Sequence, residues 1–372
     1  MKGNRFASRG YANGLRGVAL SLCVILGGMW ASAATTAQLQ AAFPGATVSG
    51  STVTLTADIG PCVLTNTWGT VTVDLNGHSI TSGVASTPAI RIDSVAKPTA
   101  STVLKLALTG TGAVVGGPGT AVTSGTATAG TGGIGIRVPD QTYKVTTYQA
   151  EPAVQITIGA NVVVRGGTGG ENTADGRGGT GGYGIYVSTT SSNSKPSIVN
   201  NGVVEGGAGG RGVSAGGTGG CAFYRPSYYV RWITFQNNGT LRGGRGGNAG
   251  MTPGGGGSAA SSTTNLTGSG ARLTGEVGAV LPALCLSQQF PGAAITGDED
   301  AGFTVTLASD VGPVTLPDCL GAVTVDLNGH SITGGAVSVK HAITFKKSAA
   351  AVTTPTALAL TGPGREIGRA HV

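Results

Sequence analysis

The sequence predicts an all-β protein built from stacked repeats, and three observations lead there. Of 372 residues, 68 are Gly, 10% are charged and 5% are aromatic, against a usual ~7% Gly and ~25% charged residues. Val, Ile and Thr fill the spaces between the glycines, and their branched Cβ atoms suit a pleated strand. The chain also repeats itself: VTVDLNGHSI occupies residues 71–80 and recurs, letter for letter, at 323–332. With 40% apolar residues the chain can bury a core, and so few charges exclude a self-repelling disordered polymer.

Taken from the N-terminus, Lys2, Arg5, Arg9 and Arg16 precede an apolar run at 18–30 and the small-residue pattern Ala31-Ser32-Ala33. This is the pattern of an export signal over residues 1–33. The run is shorter than the ~20 residues that span a bilayer. Bulky Leu22 before Cys23 also departs from a lipoprotein signal. Removing the signal lowers the net charge from +7 to +3, too little to point to an acidic partner. Four cysteines remain, Cys62, Cys221, Cys285 and Cys319. In an oxidising compartment they allow two disulfides, in three connectivities. Without a C-x-x-C pair, a zinc site is not expected.

The ten-residue identity lies within a longer duplication. Residues 52–55 and 58–61 correspond to 304–307 and 310–313, and 106–110 corresponds to 358–362, all at an offset of 252. Phe43-Pro44-Gly45-Ala46 returns as Phe290-Pro291-Gly292-Ala293 after a small insertion. Self-similarity at a fixed offset signals an array. The expected organisation is a first unit at 34–284 and a second, shorter unit at 285–365. Residues 366–372 can be read back as codons resembling a sequencing adapter followed by a stop. The expectation is that they are not biological and that the second unit is cut short.

A shorter repeat lies within the first unit. The stretch 198–207 parallels 235–244, with a third version at 158–167, and glycine clusters begin at 178, 216 and 254. Thr131-Gly132-Gly133-Ile134-Gly135-Ile136-Arg137-Val138 also resembles Thr180-Gly181-Gly182-Tyr183-Gly184-Ile185-Tyr186-Val187. A strand of four or five residues cannot stand alone, but stacked on its equivalent it completes a ladder and a core. In residues 71–75 the alternate set Val71, Val73 and Leu75 faces inward. Asn76-Gly77 then turns the chain, with Asn328 at the matching corner, where stacked Asn side chains can bond along a ladder. The glycine runs admit three readings: flexible linkers, ordered loops, or packed polyglycine. Recurrence of the doublets in register favours ordered loops.

The stretch DLNGHSI, followed by Gly, resembles a rung of right-handed parallel β-helix proteins of the pectin-lyase-like class. The NNGxxxGG units of the region 106–257 resemble passenger repeats of bacterial autotransporters. The resemblance implies a right-handed parallel β-helix, or solenoid, with glycine-rich loops. It also implies a protein exported to the extracellular space or the bacterial cell surface, with an adhesive or structural role. Its enzymatic alternative is a polysaccharide lyase or epimerase.

Few residues point to chemistry. His78 and His330 lie near Asp74 and Asp326 and suggest a general base, but no second partner accompanies them, and structural histidines at corners are expected. Asp298-Glu299-Asp300 reads as a solvated turn, and Gly170–Gly176 lacks the spacing of calcium sites. Arg242-Gly243-Gly244-Arg245-Gly246-Gly247 resembles RGG triplets of nucleic-acid-binding tails, a role that an exported chain does not need. Tyr224, Arg225, Tyr228, Tyr229, Arg231 and Trp232 form an aromatic–basic cluster of the kind that stacks on sugars or protein partners; core packing is their other reading. No catalysis, cofactor, metal or nucleic acid is expected. The expected partner is a host surface or a glycan, with membrane contact only through an anchor outside this stretch.

Overall fold

The computed structural model describes residues 33–95, 102–138, 154–188, 196–225, 233–262, 265–334, 341–347 and 354–367. The export-signal segment therefore lies outside the described residues, except for Ala33. The fold is all-β, with two short helices, α1 (Thr36–Ala42) and α2 (Pro282–Gln289).

Three sheets dominate the first unit. The first contains Thr47–Ser49, Thr52–Thr54, Thr70–Asp74, Leu104–Thr109, Val154–Ile158, Ser197–Asn200, Thr234–Asn237 and Leu266–Thr267. The second contains Ser79–Thr81, Gly112–Val115, Val162–Arg165, Val203–Glu205, Thr240–Arg242 and Ala271–Leu273. The third contains Cys62–Thr65, Ile90–Asp93, Ile136–Val138, Ile185–Val187 and Phe223–Tyr224. From Thr70 to Arg242 the chain visits first, second and third sheets in that order, circuit after circuit, and then returns to the first sheet at Leu266–Thr267. Every pairing in them is parallel except that of Thr47–Ser49 with Thr52–Thr54.

Alternation sets the core. Val71, Val73 and Leu75 are fully buried, as their spacing requires, and they stack under Leu106 and Leu108, which in turn meet Ile156 and Ile158. Asn76 and Asn328 take the left-handed conformation, both with φ of 48°, which Asn tolerates better than most residues. They do not form an Asn ladder; each side-chain amide donates to a Leu carbonyl, of Leu55 at 3.0 Å and of Leu307 at 3.1 Å. The Asn ladder lies at another corner, where buried Asn200 donates to Asn237 at 2.8 Å and exposed Asn238 to Asn201 at 2.9 Å.

The glycine runs depart most from expectation. They are interior layers, not projecting loops. Between the second and third sheets each circuit makes an outgoing run and a returning one, such as 166–170 and 178–182. Their N–H groups form a continuous zigzag: Gly182 to Gly167, Gly207 to Gly182, Gly220 to Gly207, Gly244 to Gly220 and Gly257 to Gly244, each 2.8 Å. A second zigzag joins Gly179, Gly210, Gly217, Gly247 and Gly254 at 2.8–2.9 Å. The first glycine of each doublet donates to the next circuit instead, as Gly206 does to Arg242 O and Gly209 to Arg245 O. Every third residue carries the side chain outward. Three residues per turn with no bonds inside the run is the geometry of a polyproline-II-type helix. The cause is accounting: buried backbone groups need partners, and only runs without side chains approach closely enough to supply them. At Gly207 a Cβ would be driven into the carbonyl of Gly167, and at Gly244 into that of Gly207.

In the second unit, Ala294–Asp298, Gly302–Thr306, Ala322–Asp326 and Ala357–Thr361 form one sheet, with two-stranded sheets from Val314–Pro317 with Ile343–Lys346 and Ser331–Thr333 with Arg365–Ile367. The last pairing includes Glu366 and Ile367, the start of the segment with the adapter-like reading. Residues 368–372 lie outside the described residues. This unit has its own core, around Leu286, Phe290, Val305, Val323, Val325 and Ile332. Helices α1 and α2 were missed in the sequence. The signals were the capping box Thr35-x-x-Gln38, which the structure forms, and Pro282 in the first turn of α2.

Two comparisons test this packing. Gly207→Ala is expected to lower the unfolding free energy by at least the ~1–3 kcal/mol that overpacking costs, whereas Gly60→Ala, which faces open space, is near neutral. Val73→Asp buries an unpaired charge and is expected to unfold the first unit, while Arg242→Ala on the surface changes the unfolding free energy by less than ~1 kcal/mol. Denaturant unfolding of the four variants checks both, and equal shifts within either pair contradict the layer assignment.

Candidate functional site

The histidine corners are built twice from the same parts. His78 Nδ1 lies 3.7 Å from Asp58 Oδ1, and His330 Nδ1 lies 3.7 Å from Asp310 Oδ1. The partner is thus the aspartate of the preceding circuit, not Asp74 or Asp326. Asp58 and Asp310 accept the backbone N–H of Ser79 and Ser331 at 2.8 and 2.7 Å. Asp74 and Asp326 serve the turn instead, accepting from Asn76 and Asn328 at 3.0 Å. These carboxylates hold corners, and no third titratable group joins either pair among the described residues.

The aromatic–basic cluster divides. Arg225 is buried, 2% exposed, with its guanidinium carbon 5.7 Å from the centre of the Phe223 ring. Its guanidinium donates to Ser262 O at 3.3 Å, and its backbone is tied to the Ser261 hydroxyl. Burial lowers its pKa to about 10. Arg225 is therefore a core residue at the end of the third sheet, and its assignment to a ligand surface is corrected. Tyr228, Tyr229, Arg231 and Trp232 lie outside the described residues.

Tyr224 does reach the surface, and the structure gives it partners that the sequence reading did not single out. On the outer face of the third sheet, Val63, Arg91, Arg137, Tyr186 and Tyr224 follow one another in register. The rings of Tyr186 and Tyr224 stack at 5.5 Å and 5°, and Tyr183, from the neighbouring glycine run, lies 4.4 Å from Tyr224 and 5.7 Å from Tyr186. Burial, and the adjacent Tyr224, Cys221 and Tyr186, raise the Tyr183 pKa. The signal was present in the sequence: aligning 131–138 with 180–187 puts Arg137 under Tyr186. The result is a half-buried column of phenol edges continued by two guanidinium groups. Such a surface offers hydroxyl donors and cations to a polar, ring-bearing ligand.

A second charged ladder runs on the outer face of the second sheet. Arg165 Nε donates to Glu205 Oε2 at 2.7 Å, and Arg242 Nη1 lies 3.3 Å from Oε1 of the same carboxylate. Arg242 and Arg245 project because they are the third residues of a glycine run, which accounts for the RGG spacing. Asp298-Glu299-Asp300 forms an exposed turn in which Asp298 Oδ1 accepts from Asp300 and Ala301. In the stretch 170–176, Asn172 is buried and bonds the loop to itself through Ala174 and Gly176. Among the described residues, no three His, Cys, Asp or Glu side chains come together to hold a metal.

No disulfide joins Cys62, Cys221, Cys285 and Cys319 in this structure. Burial pushes the Cys62 pKa up to about 12, and burial, with Cys319 nearby, pushes that of Cys285 up to about 12. No helix among the described residues is long and apolar enough to cross a membrane. No protein-family model, curated protein or solved structure matches this chain.

The buried thiol makes a pH prediction. Cys62 is neutral when folded and ionises near 9 when exposed, so its contribution is intact below pH ~9 and is lost as pH rises towards about 12. Val314 fills the equivalent place in the second unit. Cys62→Val is therefore expected to fold and to lose less stability than the parent above pH ~9. Urea midpoints that fall in parallel for both proteins contradict this assignment.

Proposed function

We propose that the chain is a secreted or surface-displayed repeat protein, a parallel β-solenoid similar to the pectin-lyase-like class, with an adhesive or structural role and no catalysis. The observation that carries this reading is the division of labour in each circuit. Backbone groups of strands and glycine runs bond to the adjoining circuits, while side chains at alternate or every third position face outward in register. A surface made this way lengthens by repetition and presents the same kind of contact at intervals. The histidine corners support the reading, because a duplicated pair that holds a turn is scaffold. Contact is assigned to the column of Tyr183, Tyr186 and Tyr224 with Arg137, facing a glycan or a host surface protein.

The test is binding by the purified chain to a glycan array and to cultured cells. Tyr186→Ala with Tyr224→Ala is expected to weaken binding at least ~10-fold, about 1.4 kcal/mol, while His78→Ala leaves it unchanged. Turnover of polyuronates to unsaturated products that disappears in a folded His78→Ala variant would overturn the non-catalytic reading.

A further inference from the structure

The duplication lets one unit serve as the control for the other, and two cysteines stand out on that comparison. Aligning the helices on Phe43 and Phe290 pairs buried Leu39 with buried Leu286 and places Cys285 where the first unit has Gln38. Aligning the following strands on Val71 and Val323 places Cys319 where the first unit has Thr67. Neither first-unit position is a cysteine. Both second-unit positions are.

The two positions lie on, or just beyond, elements that pack together. In the first unit, Gln38 and Trp68, the residue after Thr67, line one shallow groove with Pro61 and Cys62. In the second unit, α2 packs on the strand Val314–Pro317, where Thr315 N–H donates to Gln289 Oε1 at 2.7 Å. Cys319 follows that strand by two residues, next to buried Leu320, whose N–H is fixed by Thr356 Oγ1 at 2.8 Å. Cys285, on α2, is fully buried, its sulfur 3.2 Å from that of Met251. Cys319 is close enough to act electrostatically on the Cys285 thiol. Two positions on either side of one packed seam, both cysteine in the second unit and neither in the first, suit a covalent pair.

We propose that Cys285 and Cys319 form a disulfide that fastens helix α2 to the second unit. Its formation moves the Cys285 sulfur from Met251 towards Cys319. The two thiols give up two protons and two electrons to an oxidised disulfide, supplied by a dithiol oxidoreductase or by oxidised glutathione, which leaves as two thiols. The bond closes a loop between α2 and the strand end and limits the unfolded chain. In the first unit the same seam is held without it: the Thr35–Gln38 capping box secures α1, and the Ala34 N–H donates to Trp68 O at 3.0 Å. Cys62 and Cys221 are left as thiols.

The experiment uses the full chain, equilibrated with oxidised and reduced glutathione and then alkylated in denaturant without further reduction. Five cysteines are present in the full chain, and the expected result is that Cys285 and Cys319 escape alkylation while the other three react. Cleavage after Glu299 separates the two positions, so mass spectrometry should find their peptides joined before reduction and apart after it. Cys285→Ser and Cys319→Ser should each expose the remaining cysteine of the pair to alkylation. Alkylation of both Cys285 and Cys319 in the oxidised parent, or a crosslink from either to Cys62 or Cys221, would overturn the proposal. The readout on the parent protein stands even if a serine variant fails to fold.

Discussion

The parallel backbone hydrogen bond between one circuit and the next is the constraint on which the rest of this structure depends. No strand here has a partner of its own hairpin except at the two places where a unit begins. Each waits for a segment about one circuit away, so a strand's burial is decided by the next circuit. Leu106 and Leu108 show this: covered by Val154–Ile158, they are 1% and 0% exposed. Their counterpart Leu360, in a strand with no further strand paired to it among the described residues, is 37% exposed. The same leucine pattern thus makes core or surface according to what stacks on it. Register also brings like residues together at about 4.8 Å, which is why Asn200 meets Asn237, Tyr186 meets Tyr224 and Thr180 meets Thr218.

The glycine layers push this constraint to its limit. A sheet strand uses its N–H and C=O groups in one plane, leaving two faces for side chains. A three-residue-per-turn run directs its groups around the axis, so neighbours are needed on several sides. Those neighbours approach until a Cβ no longer fits, and glycine is required at two positions of every three. The third position escapes because it faces water, and there the chain places Arg165, Thr168, Glu205, Ala208, Arg242 and Arg245. Much of this interior is therefore backbone, and the side-chain core of the first unit lies among the three sheets and beneath α1.

This explains what was legible in the sequence. Alternation in residues 71–75 identified Val71, Val73 and Leu75 as core, and Asn76-Gly77 announced a turn. Both are local properties, and local properties are written in adjacent residues. The repeat spacing also disclosed that the strands stack, since only stacking makes a four-residue strand useful. The partners of the stack were harder. His78 lies four residues from Asp74 in the chain but finds Asp58, one circuit away. Arg225 looked like part of an exposed cluster, yet it folds back over Phe223 into the end of the third sheet. The glycine doublets displayed a period of three, but nothing local says whether a run packs against another run or projects into water. That outcome is set by how many such runs exist to pack together, and the three clusters spaced 38 residues apart were the available signal.

Comparing the two units separates what the fold demands from what it tolerates. The corner demands an aspartate oxygen for the serine N–H, a second aspartate for the Asn N–H, and a left-handed Asn. These recur with distances that agree to about 0.1 Å. The core tolerates exchange: buried Cys62 becomes Val314, of similar volume, and Trp68 becomes the smaller Leu320, each still buried. The helix seam tolerates more. Its first-unit helix begins with a side-chain cap, and its second-unit helix begins with Pro282 and no side-chain cap hydrogen bond. A helix of eight residues is too short to persist without tertiary support, so removing the cap shifts the burden to packing. Leu286 and Phe290 carry it through the core, and Gln289 carries it through Thr315. The second-unit helix lacks the side-chain cap that starts the first-unit helix, and a helix without such a start gains most from being held at its side.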